Sequence, residues 1–300
     1  MKTLVVLTGP TGVGKTELSL RIAEALGSPV LSCDSRQLFR EIPIGTAAPT
    51  AEQLQRVRHY FVADHSIHDY YSAARFETDV LALLENELFP SHDTILMTGG
   101  SMMYIDAVCK GIDDMPDVDG QLRLDLLEQY QKEGLESILA QLKLLDPEYY
   151  GQVDRKNPKR VIHGLEICLM TGKPFSSFRS SSAKKRPFNI VKICLNRDRT
   201  ELYSRIDQRV LQMMEQGLYQ EARLLYPFRS LNALNTVGFK ELFAHFDGSI
   251  TLEEAIVRIQ NNTHKYARKQ LTWFRRDKDY HWFHPDQTSE INELLQPLVP

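Results

Sequence analysis

The chain has 300 residues, 42% of them apolar and 25% charged, enough for one large domain or for a core with a smaller insertion. No apolar run approaches the roughly 18 residues of a membrane span. Four widely spaced cysteines, Cys33, Cys109, Cys168 and Cys194, argue against a zinc site or a disulfide framework and for a reducing cytoplasmic setting. The net charge of −3 hides an uneven distribution: residues 155–186 carry nine Lys and Arg against one acid, and 255–280 carry seven against two. A polyanion can use such stripes, although solvated helix faces more often account for charge runs of this kind.

Taken in chain order, residues 3–8 are a continuous apolar run with polar ends and are predicted as a strand. A glycine-rich loop over 9–14 follows, then a helix over 15–26 with Leu18, Ile22, Ala25 and Leu26 on one stripe. Residues 29–33 read as a second short strand and 60–62 as a third. Residues 73–88 place Phe76, Val80, Leu83, Leu84 and Leu88 on one helical face, and 94–98 is another apolar strand, ending in Gly99-Gly100. Short apolar strands between amphipathic helices predict an α/β fold, a parallel sheet with helices on both faces. After a break at Met115-Pro116-Asp117, helical stripes replace strands: Leu122, Leu126 and Leu127, then Leu135, Ile138, Leu139 and Leu142, then a helix opened by Asn157-Pro158. Residues 116–186 are therefore read as an all-helical insertion domain in a core made of 1–115 and 187–300. A polar, basic loop at 176–186 leads to a strand at 190–195, long helices at 199–216 and 252–276, and a last strand at 280–283.

The first motif is Gly9-Pro10-Thr11-Gly12-Val13-Gly14-Lys15-Thr16, which matches G-x-x-x-x-G-K-[ST] between a strand and a helix. Backbone N–H groups of such a P-loop, with the helix N-terminus, make an anion cradle. Lys15 would bridge phosphoryl oxygens and the Thr16 hydroxyl would hold Mg²⁺. The second is Asp34, which follows the second strand at the edge where open α/β sheets gather ligands. An Asp there can bind Mg²⁺, act as a general base or cap the next helix. The third is Gly99-Gly100-Ser101, again strand, turn and helix, where Ser101 either meets a ligand or serves as an N-cap. The fourth is the helix through Arg268, Thr272 and Arg275, basic along one face, with an outer solvated face as the plainer reading. His281 and His284 are read as isolated histidines rather than metal ligands.

In this order along the chain, the motifs resemble the tRNA dimethylallyltransferases over nearly its whole length. The matching stretches include the P-loop, Asp34-Ser35-Arg36-Gln37, Ile44-Gly45-Thr46-Ala47, Tyr71-Ser72-Ala73-Ala74-Arg75-Phe76 and Gly99-Gly100-Ser101-Met102-Met103-Tyr104. They continue with Asn157-Pro158-Lys159-Arg160, the run from Arg205 through Arg209 to Val210, Val237-Gly238-Phe239, and the run from Arg268 through Trp273 to Arg275.

The resemblance implies a P-loop NTPase-like core and transfer of a dimethylallyl group from dimethylallyl diphosphate to the exocyclic amine of the adenine 3′ of a tRNA anticodon. The P-loop would then hold the diphosphate of the donor rather than ATP. Asp34 would take or orient the amine proton, and Ser101 would position the amine or the leaving oxygen. Lys15, Mg²⁺ on Thr16, Arg205, Arg209 and Arg268 would assist the leaving pyrophosphate. By the same resemblance Asp34, Ser35, Arg36, Gln37, Arg123, Pro158, Lys159, Arg160, Val161, Val237, Gly238 and Lys240 would meet the anticodon stem-loop, in a monomeric protein without membrane partners. The chain departs from the family pattern at Ser101 (Thr in many members), Ala48 (Lys), Lys159 (Gln) and His163 (Arg), and it shows no C-terminal zinc-finger pattern, as in bacterial short forms. A P-loop small-molecule kinase, an AMP-directed prenyltransferase and a non-catalytic RNA-binding protein are the competing readings.

Overall fold

The computed structural model describes residues 2–113, 115–116, 119–179 and 183–299. Asp117 of the predicted break and residues 180–182 of the predicted basic loop lie outside them. The chain divides into two compact units, Met1–Lys110 with Lys185–Pro300, and Gly111–Lys184.

The first unit opens with β1 (Thr3–Thr8), α1 (Lys15–Leu26), β2 (Val30–Ser32), α2 (Ala51–Arg56), β3 (His59–Tyr60), α3 (Ala73–Leu83), β4 (Thr94–Gly99) and α4 (Met102–Lys110). The second unit holds α5 (Gly120–Glu133), α6 (Leu135–Leu145), α7 (Pro147–Gln152) and α8 (Pro158–Thr171). The chain then returns to the first unit with β5 (Asn189–Leu195), α9 (Arg199–Glu215), α10 (Leu218–Leu225), α11 (Phe239–Phe246), α12 (Leu252–Phe274), β6 (Tyr280–Phe283) and α13 (Thr288–Leu295).

The six strands form one sheet in the order β3-β2-β4-β1-β5-β6, and every pairing is parallel. All six residues of β1 are buried, as expected of a strand with neighbours on both edges and helices on both faces. Its side chains alternate. Leu4 and Val6 join a core with Phe76, Val80, Phe239 and Phe274. Val5 and Leu7 join the opposite core with Leu20, Ile22, Leu202 and Ile291. Truncating any of these fully buried aliphatics to Ala would cost about 2–5 kcal/mol.

Two predicted elements differ in detail. The third strand is His59–Tyr60 rather than 60–62. The predicted 73–88 helix is α-helical to Leu83 and then widens into a π-helical turn over Leu84–Leu88. Phe76, Val80, Leu84 and Leu88 are buried. Each four-residue step overshoots a 3.6-residue turn by roughly 40°, and the wider i→i+5 winding brings Leu88 back to the core face.

The units also divide at slightly different residues from the sequence reading. Arg186, expected in the insertion, belongs to the sheet-containing unit. Its guanidinium donates to the carbonyls of Ala107 (2.7 Å) and Val108 (2.8 Å) near the end of α4, and to Glu77 (2.7 Å). A cation on the last carbonyls of a helix satisfies groups with no intrahelical partner. Met115, placed in the core by sequence, packs against the apolar core of the helical unit. No helix among the described residues is long and apolar enough to cross a membrane.

Candidate active site

The carboxyl ends of β1, β2, β4 and β5 carry the loop at Gly9, the Asp34 segment, the Gly99–Ser101 turn and Arg197 to one edge of the sheet. Gly14 caps α1 in the left-handed region, with φ +106°. Gly12 has φ +81°, and a Cβ there would lie 2.8 Å from Ile206. Both positions therefore exclude a side chain.

The loop's donors are not all available to an anion. Thr11 N–H goes to Oε1 of Gln270 (2.9 Å), and Val13 N–H closes on the Pro10 carbonyl (3.3 Å). The N–H groups of Gly12, and of Gly14, Lys15 and Thr16 at the head of α1, where first-turn N–H groups have no intrahelical partner, are left to form the cradle. Pro10 contributes no N–H, and the carbonyls of Gly9 and Gly12 accept from the site's cations. Lys15 Nζ donates to Gly9 O and Pro10 O, each at 2.9 Å, and Arg205 Nε donates to Gly12 O at 3.0 Å. Burial, then the neighbouring Arg209 charge, hold the Lys15 ammonium down to about 8, with Asp34 opposing. Burial also lowers Arg209 and Arg36 from the usual guanidinium value, and Asp34 works against both shifts.

Two cavities meet here. One, of about 650 Å³, is bordered by Lys15, Thr16, Asp34, Arg197, Arg205 and Arg209. The other, of about 550 Å³, has an apolar wall of Ile206, Val210, Met213, Leu218 and Ile259, and a basic rim of Arg36, Lys240, Lys265 and Lys269. They share Thr11, Asp34, Thr46, Arg209 and Tyr266. Asp34 therefore borders a compartment lined by the phosphate loop and by Lys15, Arg197, Arg205 and Arg209 on one side, and an apolar compartment with a basic mouth on the other.

Asp34 is also a cap. Its Oδ1 accepts the N–H of Arg36 (2.9 Å) and of Gln37 (3.4 Å). What Asp34 caps is the turn over 35–38, not a helix as the sequence reading allowed, since the next helix starts only at Ala51; Oδ2 takes no part in these bonds. Ser101 is buried and borders neither cavity. Its Oγ accepts Ser35 N–H (2.8 Å) and donates to Ser35 Oγ (3.0 Å). The hydroxyl bridges to the Asp34 segment and caps no helix. Gln37 Nε2 donates to Ala47 O (3.0 Å), which ties that segment to the 44–47 loop.

Several expected residues lie elsewhere. Arg268 borders neither cavity; it is exposed and donates to the Tyr203 hydroxyl at 2.8 Å. Two residues along a helix turn the side chain by roughly 200°, so with Tyr266 and Gln270 on the side of the first cavity, Arg268 faces away from it. Thr272 and Arg275 are exposed as well, which makes this the solvated face. In the helical unit, Val161 is fully buried in the core and has no surface to offer RNA. Arg123 makes a bidentate pair with Glu166, at 2.7 and 2.8 Å. Glu166 is itself completely buried, and despite that burial the bonds from Arg123 and His163 bring its carboxyl down to about 2. Lys159 and Arg160 are exposed, and Pro158 is the first residue of α8. Val237, Gly238 and Lys240 border the second cavity, with Ser35 and Arg36.

Sequence reasoning missed Arg197, Gln270 and Tyr266. Arg197 follows β5 at its carboxyl end as Asp34 follows β2, and the same rule would have found it. Gln270 lay inside the family-like run from Arg268 to Arg275 and on an otherwise apolar stripe, but nothing in the sequence assigned its amide a partner; Tyr266 carried no signal.

Residues 37–277 match the family model described as IPP transferase. The chain belongs to this family. It is 66% identical over 284 residues to tRNA dimethylallyltransferase 2 of Porphyromonas gingivalis, covering 95% of this chain and 94% of that one. It is 61% identical over 296 residues to tRNA dimethylallyltransferase 1 of Phocaeicola vulgatus, covering 99% and 98%. Among solved structures, the tRNA isopentenylpyrophosphate transferase of Bacillus halodurans superposes with a TM-score of 0.72 at 32% identity, covering 100% of this chain and 97% of that chain. A eukaryotic dimethylallyltransferase described as acting on tRNA superposes with a TM-score of 0.81 at 25% identity, covering 97% and 76%. The family match begins at residue 37, so the P-loop and Asp34 are covered by the full-length relatives rather than by the family model.

Proposed function

We propose that this protein transfers the dimethylallyl group of dimethylallyl diphosphate to the N6 amine of the adenine 3′-adjacent to a tRNA anticodon, releasing pyrophosphate. The observation that carries this reading within the family is the meeting of two compartments at Asp34. A phosphate-binding loop opens from one side, and a cavity large enough for a base or prenyl chain opens from the other. Small-molecule kinases and AMP-directed enzymes have no use for the separate helical unit with its exposed Lys159 and Arg160.

In the reaction the N6 lone pair forms a bond to C1 of the donor. The C1–O bond breaks with its electrons going to pyrophosphate, and the amine proton passes to the Asp34 carboxylate. The N–H groups heading α1, with Lys15, Arg205, Arg209 and Arg197, meet the charge that grows on the leaving group. The Thr16 hydroxyl is a hard oxygen donor on the rim of that compartment, which suits Mg²⁺ held mainly by ligand phosphates and water. Bound there, Mg²⁺ would neutralise part of the pyrophosphate charge. The adenine must leave its stack, at a cost of a few kcal/mol, and Ser35, Arg36, Val237, Gly238 and Lys240 line its way in, with Gln37 on the adjoining cavity. Lys159 and Arg160 supply phosphate contacts from the helical unit.

The test is transfer of radiolabelled dimethylallyl, with Mg²⁺, to unmodified anticodon stem-loops carrying adenine or guanine at the target position. Label in the adenine stem-loop alone is expected. No label in either, with phosphorylation of a small acceptor by ATP instead, would return the protein to the kinases.

A further inference from the structure

The inward stripe of α12 runs through Ala255, Ile259, Ala267, Gln270 and Phe274. Gln270 is 1% exposed, and a Leu or Met would fill its volume without the desolvation cost of an amide. Both ends of that amide are used on backbone. Oε1 accepts Thr11 N–H at 2.9 Å, and Nε2 donates to the Gly100 carbonyl at 2.8 Å. A Cβ on Gly100 would lie 2.4 Å from Nε2, so this glycine is what lets the amide reach the turn. The path continues beyond the turn, because Ser101 Oγ accepts Ser35 N–H at 2.8 Å, and Ser35 follows Asp34. One hydrogen-bonded route thus leads from the phosphate loop through Gln270, Gly100, Ser101 and Ser35 to the carboxylate.

We propose that Gln270 is a positioning residue for prenyl transfer: its amide tethers the loop that holds the leaving diphosphate to the segment that holds Asp34, and so sets the distance between leaving group and proton acceptor. The proposal rests on the reaction assigned above. Gln270 touches no reacting atom in this scheme and acts through Thr11 and Gly100. Reacting groups must sit about 3–3.5 Å apart, and a 1 Å misplacement costs on the order of 100-fold in rate.

The test compares full-length wild type with Gln270→Met, which keeps the volume and removes both bonds, and Gln270→Glu, which keeps an acceptor for Thr11 and loses the donor to Gly100 while ionised. For Gln270→Met, kcat is expected to fall about 100-fold with KM for dimethylallyl diphosphate nearly unchanged. Hydrogen exchange at the Thr11 amide is expected to accelerate, while the amides within α1 keep their protection. Gln270→Glu is expected to keep Thr11 protected, to lose kcat at alkaline pH, and to regain part of it as falling pH protonates the new carboxyl and restores a donor. A Gln270→Met enzyme with wild-type kcat, or one with unchanged Thr11 exchange, overturns the proposal. Absence of transfer by the wild type overturns the assigned reaction and not the tether, which the Thr11 exchange judges separately.

Discussion

Glu221 of α10 holds Gly45 by its backbone: Oε1 accepts Gly45 N–H at 2.7 Å, and Oε2 accepts Ile44 N–H at 2.9 Å. The held loop carries Thr46, which borders both cavities. Burial raises the Glu221 carboxyl above its usual range, and the two N–H donors oppose that shift. Gln in its place turns an NH₂ toward one of the two donors. Glu221→Gln is expected to destabilise the protein by about 1–3 kcal/mol, the cost of a buried donor left unpaired. Urea unfolding checks this, and a midpoint equal to wild type would show that the loop does not need the clip.

Asp34→Asn separates the two jobs of that side chain. The amide oxygen still accepts from Arg36 and Gln37, but the proton acceptor is gone. Turnover is expected to fall by about 10²- to 10⁴-fold, with stem-loop affinity within a few-fold of wild type. Single-turnover kinetics and binding measure the two effects separately. Retention of turnover within five-fold would reduce Asp34 to a cap.

Lys15 makes pyrophosphate binding pH-dependent. Burial holds its ammonium down to about 8. A bound polyanion favours the charged form and raises that value, so the complex binds more protons than its parts. Affinity is therefore expected to weaken as pH rises above about 8, with proton uptake on binding in that window. Calorimetry in buffers of different ionisation enthalpy reads the uptake. Lys15→Arg, charged throughout, should remove the part due to this residue, leaving the ligand's own titration.

Asp277 joins α12 to β5 and α4. It accepts from Lys192 at 2.9 Å and pairs with Lys110 at 3.0 Å. Although burial works the other way, these bonds bring its carboxyl down to about 2. An acid with a depressed folded-state pKa contributes stability that is present above its unfolded value near 3.9 and is lost as pH falls toward about 2. Asp277→Asn leaves the buried Lys192 with only the exposed Asp279 carboxylate, 3.8 Å away, and is expected to cost about 3 kcal/mol at neutral pH. The difference from wild type should shrink between pH 4 and pH 2, as urea unfolding across that range would reveal.

Arg123 and Lys159 should behave differently although both lie in the helical unit. Arg123→Ala strips the buried Glu166 of its bidentate partner and is expected to lower the stability of the protein by several kcal/mol. Lys159→Ala is expected to leave stability unchanged while weakening stem-loop binding and reducing its salt dependence by about one charge. Equal loss of stability in both variants would contradict this division.

Local pattern determined much of this protein. The G-x-x-x-x-G-K-[ST] run between strand and helix placed the phosphate loop, because the glycine conformations and the helix N-terminus are properties of adjacent residues. Short continuous apolar runs and stripes near period 3.6 marked most of the sheet and the long helices, because a strand buried on both faces is apolar throughout and a helix face is written at fixed spacing. The position of Asp34 after β2 named the carboxylate. Tertiary structure decided what those residues do with their bonds. That Thr11 turns its N–H to Gln270, 259 positions away in sequence, has no local signature, since a glutamine on a helix stripe reads the same whether its amide meets water or a distant backbone. Arg123, Arg268 and Val161 looked available because charge and motif membership are visible in sequence, whereas the buried Glu166, the outward turn at Arg268 and the packed core around Val161 are set by which helix faces meet. The joining of two cavities at Asp34 likewise depends on α9, α11 and α12 packing over the carboxyl edge of the sheet, a long-range arrangement that no window of the sequence contains.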